Sequence, residues 1–374
     1  MTQRELDKAY MHWLYQAVGM GNRGLVRKLI SSGPLSEIHE MATKGCLSEK
    51  LSEKYKAKAE QIEAFTANYD VKAEYEKMIA RGILLVAAGE EEYPKKLSDI
   101  PDTPCAIYYV GKLPKNEEKA IAIIGARNCS EYGKAMARQF GEILADAGIQ
   151  IVSGMARGID GIGQQAALDA GGYSLGVLGC GVDICYPPEN KQLYERLIAE
   201  GGNCSEYPPG IGPRAELFPP RNRIISGLCD GVLVIEAKER SGTLITVDMA
   251  LEQGREVYAL PGRATDYLSE GCNKLIRQGA ELVVSPQEIL RGLKPDCAAG
   301  AIYNQQTFSV PDGTKGRLLQ LLDYQPMSVE VLQHKYAEIY GSSITLPEFC
   351  CEMLKLCADG LAVQINGTYY VRRG

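Results

Sequence analysis

The stretch Gly231–Ala237, GVLVIEA, is apolar without the polar/apolar alternation of a half-exposed strand. Such a run buries both faces, which marks a parallel sheet covered by helices. Between about Arg81 and Leu290 the pattern recurs in IAIIG (Ile121–Gly125), QIVSG (Gln150–Gly154), SLGVLG (Ser174–Gly179), EVYALPG (Glu256–Gly262) and ELVV (Glu281–Val284). Amphipathic helical stretches separate these runs. The alternation predicts an α/β fold: an extended Rossmann-type, doubly wound, mostly parallel sheet over about residues 80–295.

The flanks read differently. Residues 1–75 form a small helical region, with apolar residues at helical spacing in ELDKAYMHWLYQAV. Gly19-Met20-Gly21 interrupts it. That turn fits a helix-hairpin-helix offering N–H groups to a phosphate, and it fits better a plain helical turn with a glycine C-cap. A linker spans 296–312. Residues 313–374 read as three helices closed by LAVQINGTYYV, where Asn366-Gly367 is a type I′ hairpin signal. Three helices and a hairpin make a winged-helix-like pattern.

A length of 374 residues suits two or three domains. Hydrophobic residues make up 45% and charged residues 24%, as in soluble globular proteins. The net charge of −6 argues against a basic coat. It leaves room for a local basic groove, because screening confines such fields to about 10 Å. MTQRELDKAYMHWLYQ has no apolar signal core, and no apolar run is of membrane-spanning length. The expectation is a cytoplasmic protein without a membrane contact. The 12 cysteines are then thiols, scattered without a C-x-x-C pair, and no metal site is expected. The three histidines, His12, His39 and His334, lie outside the central region, which weakens any reading that needs a His base.

Ligands of parallel α/β sheets bind beyond the carboxyl ends of the strands. Those ends run into GARNCSEYG, GMARGIDG, GCGVDICYPPEN, KERSGTLIT and RATDYLSEGCNKLI. Glycine there admits close approach, and helix N-termini attract anions. Arg127, Arg157, Arg221, Arg223, Arg263 and Lys274 fall in these segments or in LFPPRNRII. Guanidinium forks match phosphate oxygens two at a time. The expected site therefore comprises Gly125, Ala126, Arg127, Ser153, Gly154, Arg157, Phe218, Arg221, Asn222, Arg223, Ser241, Gly242 and Thr243. Arg127, Arg221 and Arg223 hold successive phosphates in this reading, and Phe218 or Tyr186 stacks a base. Each piece has a plainer alternative. The two arginines also fit a network with Glu206, Glu216 or Asp230, SGTLIT fits a simple N-cap, and aromatic residues are usually core filling. GCGVDI lacks the third glycine of a dinucleotide fingerprint and follows the third strand.

In order, GARNCSEYG, IVSGMARGID, LGCGVDICYP, SEYPPG, LFPPRNRIISGL, VLVIEA, SGTLITVDMAL, ALPG and GCNKLIRQGA closely resemble the DNA-processing protein A family (DprA, also called Smf). The resemblance is dense from about Ile83 to Leu290. It implies a sterile-alpha-motif or helix-hairpin-helix N-terminal domain, a Rossmann core and a winged-helix domain. It implies a non-enzymatic homodimer that binds single-stranded DNA, without cofactor or catalytic residue, and loads the RecA recombinase during natural transformation. Arg127 matches the family's G-S/A-R arginine, and Arg221, Asn222 and Arg223 match its R-N-R motif. Pro220 stands where the family often has a basic residue. The third helix of the C-terminal region, LPEFCCEMLKLCADG, carries Glu348, Glu352 and Asp359 against Lys355. A protein-contact or regulatory role is expected there, despite VRRG at the terminus.

Two other classes compete. The lysine-decarboxylase-like phosphoribohydrolases share a G-S-R start but carry P-G-G-x-G-T-x-x-E; here RSGTLITVDMA lacks that glutamate, and the nearest acid is Asp248. A mononucleotide sensor would use the same crevice.

Overall fold

The computed structural model describes residues 1–19, 22–294 and 313–372. One sheet holds nine strands: β1 (Leu84–Ala87), β2 (Ala106–Gly111), β3 (Ala120–Ile124), β4 (Gln150–Ser153), β5 (Ser174–Val177), β6 (Gly202–Ser205), β7 (Gly231–Val234), β8 (Glu256–Ala259) and β9 (Glu281–Leu282). Their spatial order is β1-β2-β6-β5-β4-β3-β7-β8-β9. All neighbours from β6 to β9 are parallel. β2 pairs antiparallel with both β1 and β6. The chain steps outward from β3 to β6, then returns to the far side of β3 for β7. The sheet therefore reverses direction of growth between β3 and β7, where Ile124 pairs with Val234.

The apolar runs do what their lack of alternation predicts. Ala122, Ile124, Val152, Val232 and Val234 face one layer, with Ile224 and Ile225 of helix Phe218–Gly227 and Val247 of helix Gly242–Glu252. Ile121, Ile123, Ile151 and Leu233 face the other, with Phe140 and Leu144 of helix Glu131–Asp146 and Ala167 of helix Ile159–Asp169. Each such aliphatic side chain contributes about 1.5–3 kcal/mol by leaving water. The last two helices pack closely because Gly141 faces Gly163; a Cβ on Gly141 would lie 2.4 Å from the Gly163 carbonyl oxygen.

Three strands of this sheet lie outside the apolar runs quoted above. β6 is GNCS, buried throughout but small and polar. Gly201 and Gly202 bracket its start, where a Cβ would meet the Ser174 or Lys112 carbonyl oxygen at 2.1 or 2.0 Å. β1 and β2 sit at the edge and serve two cores. Val86 and Ile107 face the sheet's own core, while Leu85, Tyr108 and Val110 join the N-terminal helices around Trp13 and Leu14. Those helices, chiefly Gln3–Val18, Arg23–Ser32, Leu35–Thr43, Lys56–Thr66 and Val71–Ala80, thus share a core with the sheet edge. Thr2 and Glu5 form a capping box on the first. Gly19 closes it as a C-cap at φ 66°; Met20 and Gly21, on which the hairpin reading turned, lie outside the described residues, as does the linker 296–312.

Beyond it, helices Thr314–Leu321, Val329–Tyr340 and Leu346–Ala358 pack around Leu332, Phe349 and Met353. β10 (Met327–Ser328), β11 (Ala362–Ile365) and β12 (Tyr369–Arg372) form an antiparallel sheet in the order β10-β12-β11. Asn366 and Gly367 both adopt positive φ, 50° and 76°, as a type I′ turn requires. This is the winged-helix-like arrangement. Arg263 bonds Gln325, and the rings of Tyr132 and Tyr324 lie 6.3 Å apart, joining this unit to the sheet.

Candidate nucleic-acid interface

A cavity of about 680 Å³ opens where β3 and β7 diverge, the position at which doubly wound sheets bind ligands. Three segments wall it: Gly125–Asn128 after β3, Lys238–Thr243 after β7, and the first turn of helix Phe218–Gly227. Gly158, at φ +77°, lets the first segment lie flat on the next helix. A Cβ there would sit 2.3 Å from the Ala126 carbonyl oxygen and 2.6 Å from that of Arg127. The Ile159 N–H donates to the Ala126 carbonyl at 3.3 Å. The second segment ends in a capped helix: the Ser241 hydroxyl accepts from the Thr243 N–H at 3.2 Å, and the Thr243 hydroxyl donates to the Gly125 carbonyl at 3.2 Å. Both walls are thereby tied together, and the N-terminus of helix Gly242–Glu252 faces the cavity.

Arg127, Arg214, Lys238 and Arg240 line the mouth, all exposed. None of them takes part in an ion pair among the described residues. Lys238 Nζ lies 4.8 Å from the ring centroid of Tyr267. Beside them Tyr186 and Phe218 form an aromatic pair, centroids 5.5 Å apart and planes at 34°. Gly179 makes room for it, since a Cβ would approach Phe218 to 2.6 Å.

The two arginines of R-N-R part company. Residues i and i+2 of a helix point to different faces. Arg221 turns to the cavity floor and is buried. Its Nη1 donates to the Gly154 carbonyl at 3.0 Å and to that of Val177, and its Nε to Asn222 Oδ1 at 3.2 Å. Asp160 lies buried alongside and accepts from the Gly154 N–H at 3.2 Å. Burial pushes the Asp160 carboxyl above its ordinary range, with Arg221 opposing. Arg221 is a strut joining the ends of β4 and β5. Arg223 turns away: Nη2 bonds both Glu206 oxygens at 2.7 and 2.8 Å, and Nε bonds Asp102 at 2.8 Å. It does not line the cavity. The expectation that Arg223 faces a phosphate gives way to the alternative of a pair with Glu206, here buried rather than superficial.

The remaining expected residues divide. Gly125, Ala126, Asn222, Ser241, Gly242 and Thr243 line the cavity with Arg127 and Phe218. Arg157 pairs with Glu189 at 3.5 Å and lines an adjoining recess with Arg127, Tyr186 and Gly154. Ser153 is fully buried, donates its hydroxyl to the Ile123 carbonyl at 2.6 Å and does not itself line the cavity. Arg263 bonds Gln325, and Lys274 pairs with Glu239 at 3.4 Å. Arg214, Lys238 and Arg240 join the cluster without being among the residues expected from the sequence. The last two sit in KERSGTLIT directly after β7, so position alone marks them. No group of His, Cys, Asp or Glu is placed to hold a metal, and no helix is long and apolar enough to cross a membrane, among the described residues.

Known proteins place this geometry. The family model for DNA recombination-mediator protein A matches residues 84–294. Protein Smf of Escherichia coli is 40% identical over 294 residues, covering 76% of each chain. DNA processing protein DprA of Streptococcus pneumoniae is 45% identical over 198 residues, 53% of this chain and 70% of that one. The crystal structure of the pneumococcal protein superposes with a TM-score of 0.65 at 34% identity, covering 76% of this chain and 98% of that one. A structure of DNA processing protein A from Helicobacter pylori, which concerns that protein's single-stranded DNA binding mode, superposes with a TM-score of 0.51 at 29% identity, covering 57% of this chain and 96% of that one. The nine-stranded sheet, the notch at its point of reversal and these relatives together make this chain a member of the DNA recombination-mediator protein A (DprA/Smf) family.

Proposed function

We propose that the notch binds the backbone of single-stranded DNA, and that the protein shields incoming strands and hands them to the RecA recombinase during natural transformation. The observation that carries this reading is the group of four unpaired cations, Arg127, Arg214, Lys238 and Arg240, at one cavity mouth. An acidic chain that leaves four cations unneutralised around a helix N-terminus offers a site for repeated negative charge. The Tyr186–Phe218 pair adds a stacking surface that tolerates any base. Membership of the family and the binding mode of the Helicobacter pylori relative point the same way. One notch spans few phosphates, so two copies on one strand gain through effective concentration, and the protein acts as a homodimer in this reading.

Glycoside cleavage is the weaker alternative. It uses a pair of carboxyl groups, and Asp160 is the single carboxylate on the cavity wall among the described residues, already bonded to the Gly154 N–H. The test is a salt titration of oligonucleotide binding by fluorescence anisotropy. The log–log slope steepens by about 0.7 for every phosphate engaged. Arg127→Ala weakens all sequences alike, about tenfold, and lowers the slope by about that increment. An affinity indifferent to salt overturns the reading. Competition by a mononucleotide as effective as that of an oligonucleotide turns it into a nucleotide sensor.

A further inference from the structure

A second cavity, of about 840 Å³, adjoins the notch and shares Asn128 and Leu268 with it. Its chemistry is the reverse of the notch. Three carboxylates line it, Glu236, Asp266 and Asp323, against one cation, Arg263, which bonds Gln325. Phosphate is repelled from such a wall. Three tyrosines line it as well: Tyr132, Tyr267 and Tyr324. Tyr267 leaves 58% of its surface exposed, so its ring is open to a stacking partner. Glu236 is anchored by Ser130, whose N–H donates to one oxygen at 2.9 Å and whose hydroxyl donates to the other at 2.5 Å. A carboxylate has about four acceptor positions, so each oxygen keeps one for a further donor. Gly133 makes the space for this carboxylate; a Cβ would lie 2.4 Å from it.

We propose that this cavity is a nucleobase subsite, where a base of the strand held in the notch turns in and stacks on Tyr267, its ring donors facing the Glu236 carboxylate. Lys238 links the two spaces: it lines the notch, and its ammonium lies 4.8 Å from the Tyr267 ring of the second cavity. A phosphate on Lys238 therefore leaves its own base within reach of that ring. Aromatic faces and a wall with three carboxylates to one cation suit a base and disfavour a backbone. The inference rests on the notch binding single strands.

The test uses the full-length protein and two labelled strands of equal length, one of ordinary deoxynucleotides and one of abasic sugars throughout. Tyr267→Ala weakens the ordinary strand about tenfold and leaves the abasic strand unchanged. Tyr267→Phe, which keeps the ring, restores the affinity. Equal weakening of both strands shows that Tyr267 acts only by steadying Lys238, and overturns the subsite. So does an ordinary strand indifferent to Tyr267→Ala. Failure of the notch itself is separately visible: Arg127→Ala then leaves both strands unaffected.

Discussion

At the seam between the N-terminal helices and the sheet, Arg23, Arg27 and Arg223 converge on Asp102, and Arg223 also grips Glu206. At the notch, Arg127, Arg214, Lys238 and Arg240 converge on an open cavity. The residue type is shared; the difference is the partner. Burial alone would push Asp102 up, yet Arg223, with Arg23 and Arg27, holds it below the ordinary carboxylate range. Burial would also pull Arg223 down, and Glu206 with Asp102 more than offsets it. The seam's charges are satisfied within the protein and fasten it. Those of the notch have no acid partner among the described residues. Helix Phe218–Gly227 serves both regions, Arg221 bracing the notch floor and Arg223 closing the seam.

Removing one partner from the seam tests this contrast most strongly. Glu206→Ala leaves Arg223 buried without its bidentate acid, which costs about 3–5 kcal/mol of stability. Arg127→Ala removes an exposed cation that fastens nothing, and shifts stability by no more than about 0.5 kcal/mol. Chemical denaturation of both variants reads the difference. Equal losses would show that pairing does not distinguish the two regions.

Acid separates them next. His12 is buried at the seam, its Nδ1 3.0 Å from the Tyr108 hydroxyl, and burial lowers its pKa from 6.5 to about 4. Between those values the unfolded chain binds the proton and the folded one does not. The stability is therefore complete above pH 6.5 and falls as pH drops, by about 2 kcal/mol at pH 5 and about 3 kcal/mol at pH 4. Asp102 acts in the same sense at lower pH; Asp160 and Glu236, raised by burial, act in the opposite sense. The stability difference between wild type and His12→Gln, followed from pH 7 to 4, isolates the histidine and narrows on acidification. The notch cations are all Arg or Lys, and no histidine lines the cavity among the described residues. Strand affinity of the folded protein does not fall over that range; a parallel loss would join the two regions.

The sequence declared the sheet wherever strands were aliphatic on both faces, as in IAIIG and GVLVIEA. It was silent where packing was done by small or polar residues. GNCS becomes a central strand because glycine lets Ser174 and Lys112 approach, and no apolar pattern records that. Strands β1 (LLVA) and β2 (AIYYVG) are apolar runs that the same rule reads; the division of their faces between two cores belongs to a tertiary contact. At the site, Arg127 and the Ser241–Thr243 cap follow from their place after strand ends. Arg223 does not, because a helix sends neighbouring side chains apart and the acids that claim it, Glu206 and Asp102, are remote in the chain. Lys238 and Arg240 were legible by the same rule that found Arg127, and Arg214 was not, since its loop follows β6, the strand whose small polar residues hide it.

The smallest effect comes from the C-terminal helix Leu346–Ala358, where cations meet the criterion of the seam. Lys355 pairs with Glu352 at 2.7 Å, and Lys315 with Asp359. Glu348 and Glu352 leave the helix acidic overall. Exposed pairs of this kind contribute little to stability, and a cation already answered by an acid has little left for a phosphate. Lys355→Ala therefore produces no measurable shift in melting midpoint and changes single-strand affinity by less than about twofold, well short of the tenfold that marks a contact. Anisotropy with the same oligonucleotide used for Arg127→Ala makes the two directly comparable. A loss approaching that of Arg127→Ala would place the strand across this helix, and pairing would then cease to tell a fastening charge from a binding one.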